Sequence, residues 1–149
     1  MRVYMVIMDE TDEARKALRF ASRRAAATGG SVHILALVQP QNFNAFGGVQ
    51  ATIEQEARDR AEAVAASAAG NLFSESGKMP TIAVRVGEGQ AVIKEYLADH
   101  PEVAALVLAS GESAPGPLVT HFSGASCDLP CPVYIIPGSF GMEEIDRLA

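Results

Sequence analysis

Three nearly unbroken apolar runs, Val3-Tyr-Met-Val-Ile-Met8, Ser31-Val-His-Ile-Leu-Ala-Leu-Val38 and Val103-Ala-Ala-Leu-Val-Leu108, constrain this chain more than any other feature. A strand with one wet face alternates apolar and polar residues, whereas a strand covered on both faces does not. Such strands need helices over each face, and the intervening sequence supplies them. Ala14, Leu18, Ala21 and Ala25 recur at helical spacing after Asp9-Glu-Thr-Asp-Glu13 and stop at Thr28-Gly-Gly30. Ile53, Ala57, Ala61, Val64, Ala68 and Leu72 step by three or four, with Glu54/Arg58 and Glu56/Arg60 spaced to pair on the polar side. Val92, Ile93, Tyr96 and Leu97 mark a short helix before Pro101, and Leu118, Val119, Phe122 and Ala125 mark a last one. Thr81–Val86 and Pro132–Ile136 read as two further strands. Residues 39–49 read as the longest turn-rich loop, and residues 137–149 as a tail with one short acidic helical pattern.

This order predicts an α/β fold, a doubly wound five-stranded parallel sheet with four helices, Rossmann-like in plan. The 149 residues suit one domain over 1–137, followed by a C-terminal tail over 138–149. Ligands of such folds sit outside the carboxyl ends of the strands, where the strand order reverses. The candidate lip is therefore Met8-Asp9-Glu10-Thr11, Val38-Gln39, Gly87-Glu-Gly89 and Ala109–Gly116.

Charge and cysteine usage narrow the partners. A formal net charge of −6 argues against nucleic-acid backbones and anionic membranes. No apolar run approaches the roughly 20 residues that span a bilayer. Arg2 leads straight into a strand-like run without a signal-peptide layout, so the chain is expected to be cytoplasmic. Cys127 and Cys131 flank Leu129-Pro130, and His33, His100 and His121 are scattered. The two cysteines read as reduced thiols rather than half of a zinc site, and no metal is expected.

Val107–Phe122 is the stretch richest in functional information. It reads as a buried strand, a small-residue turn, and a helix with Pro117 at its first position. A helix N-terminus offers unpaired N–H groups and a positive dipole end to an anion. Yet Ser110–Val119 contains no Lys or Arg, it includes Glu112, and Pro115 and Pro117 remove two donors. Leu118 and Val119 N–H groups remain, enough for a monophosphate-sized anion near Gly116.

Other candidates have plainer readings. Glu10, Asp12 and Glu13 complement the positive end of the first helix, while Asp9, at the strand end, is a ligand candidate. A phosphoacceptor receiver domain would need a carboxylate after the third strand and a lysine after the fifth. This chain has Val86-Gly87 and Pro137 there, which excludes that class. Gly87-Glu-Gly89 reads first as a strand-to-helix turn and second as a phosphate cradle. His121 has no Ser or Asp spaced to form a relay. Thr120 and Ser123 are either phosphate donors or hydroxyls bonded to the backbone.

Val6-Ile-Met-Asp9 before an Ala-rich helix, Thr28-Gly-Gly-Ser-Val-His-Ile-Leu35, Val86-Gly-Glu-Gly-Gln-Ala-Val-Ile93 and Cys131-Pro-Val-Tyr-Ile-Ile136 occur in an order that resembles the universal stress protein family over nearly the whole chain. The resemblance implies that Asp9 lies near an adenosine moiety and that Val38 packs around the base. It also implies a Gly, two residues, a Gly, nine residues, then Gly-Ser or Gly-Thr as the triphosphate loop. Counted back from Cys131-Pro-Val, that motif would start at Ser110 or Gly111 and end on Val119-Thr120, so the loop is shorter than the family pattern and lacks its basic residue. The expected function is a non-catalytic stress or regulatory module that senses an adenine nucleotide, ATP or AMP, weakly or not at all. The alternative is a small hydrolase or transferase acting on a nucleotide. The resemblance further implies a homodimer through the Pro132–Ile136 strand, and such a module is expected to act on protein partners.

Overall fold

The computed structural model describes residues 2–9, 11–40, 47–125 and 129–149, and for 47–51 and 125 the backbone alone. The elements run β1 (Val3–Met8), α1 (Asp12–Thr28), β2 (Ser31–Val38), α2 (Gly47–Ser76), β3 (Thr81–Val86), α3 (Gly89–Asp99), β4 (Val103–Ala109), α4 (Pro117–Ala125), β5 (Val133–Ile136) and α5 (Met142–Leu148). All neighbouring strands pair in parallel, in the order β3-β2-β1-β4-β5. The chain thus winds outward from β1 to β3, crosses back, and winds outward again through β4 and β5. The reversal point lies between β1 and β4, at the carboxyl ends Met8 and Ala109.

Burial explains the unbroken runs. Every residue of β1 is buried: Tyr4, Val6 and Met8 face a core built with α1, α2 and α5, while Met5 and Ile7 face one built with α3 and α4. Thr11 caps α1 by accepting from Ala14 N–H at 3.3 Å, and Gly29 ends that helix in the left-handed conformation.

Four expectations change. The loop assigned to 39–49 gives way to helix at Gly47, while its residues 41–46 lie outside the described residues. The buried centre of α2 is Ala65, Ala69 and Leu72, with Val64 and Ala68 only partly covered. Glu54/Arg58 and Glu56/Arg60 form no ion pair among the described residues; exposed i,i+4 pairs are worth only a few tenths of a kcal/mol, too little to hold two long side chains together. There are also five helices rather than four. The acidic pattern in 137–149 is α5, whose Ile145 is fully buried in the α1 core.

α2 has 30 residues, about 45 Å of helix against about 26 Å for an eight-residue strand. It packs against β2 and β3; its buried Ala65, Ala69 and Leu72 lie in the C-terminal half, while Gln55, Glu56, Arg58, Asp59 and Arg60 of the N-terminal half are exposed. Among the described residues no helix is long and apolar enough to cross a membrane.

Candidate ligand-binding cleft at the sheet reversal

A cleft of about 230 Å³ opens where strand order reverses. Asp9, Thr11 and Glu13 form one wall, from the end of β1 and the first turn of α1. Gly111, Ala114 and Pro115 from the turn after β4 form another. Gly116, Leu118 and Val119 close it at the start of α4. Gly116 adopts a left-handed φ of 87° and its carbonyl accepts from Thr120 N–H at 3.0 Å, which starts α4 with Pro117 in the first turn. The next two N–H groups, Leu118 and Val119, have no intrahelical acceptor and border the cleft.

The acidic wall is organised from within. Asp9 Oδ1 accepts from the Thr11 backbone N–H at 3.0 Å and from the Thr11 hydroxyl. Asp9 therefore braces the residue that caps α1, while its second oxygen has no partner among the described residues. The Thr11 hydroxyl also holds the Glu13 carboxyl below its ordinary pKa, so that group stays ionised. Two carboxylates thus face the Leu118 and Val119 donors, and no Lys or Arg lines the cleft among the described residues.

The cation absent from the loop sequence comes instead from α1. Lys16 Nζ donates to the Gly138 carbonyl and lies 3.8 Å from Glu112 Oε1, with its side chain only 15% exposed. It stands behind the loop rather than in the cleft, so it compensates Glu112 without presenting charge to a ligand. Gly138 completes this support: its N–H donates to Ser110 Oγ at 2.8 Å, and a Cβ there would lie 2.4 Å from the Ser110 carbonyl oxygen and 2.5 Å from that of Gly111. Neither residue was legible as part of the loop, because both come from elements remote in sequence.

Of the residues expected at the site, Asp9, Thr11, Gly111, Gly116, Leu118 and Val119 converge on this cleft. Ser110 instead ties β4 to β5, through Gly138 and through its N–H to Ile136 O at 2.9 Å. Thr120 is exposed and its carbonyl accepts from the Ser123 hydroxyl at 3.2 Å. Val38, buried, ends β2 and Gln39, exposed, follows it, both outside the cleft lining. Gly87 bonds back to the Val38 carbonyl at 3.1 Å, and Glu88 accepts from Gln90 and Ala91 N–H groups at 3.2 and 3.1 Å. That self-capping uses the donors a phosphate would need, so Gly87-Glu-Gly89 is a turn. Glu10 and Cys127 lie outside the described residues. Burial raises the pKa of Cys131, which keeps it a thiol. Among the described residues no three His, Cys, Asp or Glu side chains gather as a metal site.

The family model for the universal stress protein family matches residues 1–137. The chain belongs to that family. Solved structures agree on the fold. A universal stress protein UspA from Lactobacillus plantarum superposes with a TM-score of 0.79 at 18% identity, covering 91% of this chain and 97% of that one. A family protein from Burkholderia pseudomallei gives 0.70 at 18%, over 91% and 95%. A family protein from Arabidopsis thaliana with AMP bound gives 0.62 at 16%, over 92% of each. At these identities the likeness establishes the fold. No curated protein sequence matches the chain.

Proposed function

We propose that this chain is a non-catalytic regulatory module of the stress response, cytoplasmic, that works by binding and takes an adenine nucleotide weakly or not at all. The observation that carries this reading is the composition of the cleft. Asp9 and Glu13 supply two negative charges, the loop turns on prolines, and the supporting lysine is occupied behind it. A triphosphate grip combines backbone donors with a positively charged side chain. Here the donors are reduced to the first turn of α4, matched to a monophosphate at most. The AMP bound to the Arabidopsis relative supports the smaller ligand as the one to test first.

Isothermal titration with ATP, AMP and adenosine checks this. The expected order is AMP or adenosine above ATP, with ATP in the millimolar range or undetectable. A sub-micromolar ATP dissociation constant would overturn the reading.

A further inference from the structure

A second, larger hollow runs between α1 and α2, about 880 Å³ in volume, and shares only Asp9 with the cleft. Its size falls within the range of about 300–1,000 Å³ common for small-molecule sites. Leu18, Val64, Ala68 and Leu72 line it, and the small side chains on α2 keep it open. Both long walls are helix interiors, whose N–H and C=O groups are consumed within the helix. Recognition there therefore falls to side chains: an aliphatic stripe of Leu18, Val64, Ala68 and Leu72 bordered by Ser22, Ser67 and Asn71, with arginines toward both ends.

The two ends differ in charge. Toward Leu72, Glu75 is matched by Arg19 at 3.5 Å, and Arg19 is held in turn by a two-pronged pair with Asp146 at 2.7 and 2.8 Å. At the other end Arg60 lines the hollow and has no ion-pair partner among the described residues, having left Glu56 unpaired one turn back. Arg15 lines it too, attached among the described residues only to Asp12, at 3.9 Å, with both side chains largely exposed. Asp9 lines the hollow as well, with its Oδ1 accepting from Thr11. Arg60 and Leu72 are twelve residues apart in α2, about 18 Å.

We propose that this groove binds a long-chain carboxylate, its acyl chain along Leu18, Val64, Ala68 and Leu72 and its head group at Arg60 and Arg15. A trough with an aliphatic stripe, ending at Arg60, which has no ion pair among the described residues, and at Arg15, held by a single exposed pair, fits an amphiphilic anion of that shape. Among the described residues the lining offers a nucleotide no aromatic ring to stack its base, and the helix walls offer no free backbone donors.

Titration of the full chain with dodecanoate and with dodecan-1-ol, below their aggregation concentrations, tests the proposal. Dodecanoate is expected to saturate one site and the alcohol to bind more weakly. Ser67 is exposed on the α2 rim, so Ser67→Trp fills the trough without touching the core; it is expected to weaken dodecanoate by about tenfold or more, and Arg60→Gln by several-fold. Circular dichroism confirms that both variants are folded. Absence of saturable binding overturns the proposal, and so does affinity unchanged by Ser67→Trp in a folded protein. Equal binding of acid and alcohol overturns the role given to the arginines.

Discussion

At the scale of single residues, Asp9 and His33 carry separable tasks. Asp9 holds Thr11, and Thr11 caps α1, so Asp9→Ala is expected to lower stability by about 1 kcal/mol, while Asp9→Asn keeps an acceptor and most of the stability. A melting curve for Asp9→Ala that matches the parent would remove Asp9 from the cap. His33 is 8% exposed, its Nδ1 lies 3.2 Å from the Tyr96 hydroxyl, and burial lowers its pKa. The unfolded chain takes up a proton near pH 6.5 that the native state resists. The contribution of His33 is thus complete above about pH 6.5 and is lost as the pH falls through that value toward the lowered native pKa. The slope for one proton is at most about 1.4 kcal/mol per pH unit. Urea unfolding at a series of pH values should show this decline, and His33→Gln should flatten it; an identical slope in the variant would assign the proton elsewhere.

At the scale of elements, α5 joins the fold through a buried apolar residue and an ionic clasp. Ile145 is fully buried against α1, and Asp146 receives Arg19 and Arg23 from the same helix. The Arg19 hydrogen bond holds the Asp146 carboxyl below its ordinary pKa, so the clasp persists into mild acid. Ile145→Ala is expected to cost about 2–4 kcal/mol in urea unfolding, as for other buried large-to-small changes. A loss below about 0.5 kcal/mol would mean that α5 docks outside the cooperative unit. The acidic helical pattern was visible in sequence, but its partner was not, because Arg19 and Asp146 are 127 positions apart.

At the scale of the whole molecule, the two sheet edges differ. β3 exposes Thr81, Ile82 and the charged Arg85, while β5 is Val-Tyr-Ile-Ile without a charge; Ile82 and Ile135 are each 37% exposed, so the guanidinium is what separates the two edges. A charged edge resists pairing and an apolar one invites it. We therefore expect a dimer through β5, and Ile135→Lys should shift it to monomer in light scattering at micromolar concentration. A parent chain that is monomeric across ordinary salt would rule this interface out.

Periodicity alone determined the strand–helix order and argued for the parallel sheet, because burial on both faces leaves a mark on consecutive residues; the strand order, and with it the reversal between β1 and β4, was decided by the tertiary structure. Asp9, Gly111 and Gly116 were legible for the same reason: they follow buried strands or start a helix in the chain itself. Lys16, Gly138 and the docking of α5 were decided by the tertiary structure. Lys16 and α5 depend on contacts across more than 100 positions and Gly138 meets Ser110 across 28, and a lysine on a helix looks the same in sequence whether it meets water or a distant carbonyl. The open trough beside α2 belongs to this second class. An alanine-rich stripe specifies that a helix packs closely against its sheet, but only the relative placement of two helices decides whether space remains between them.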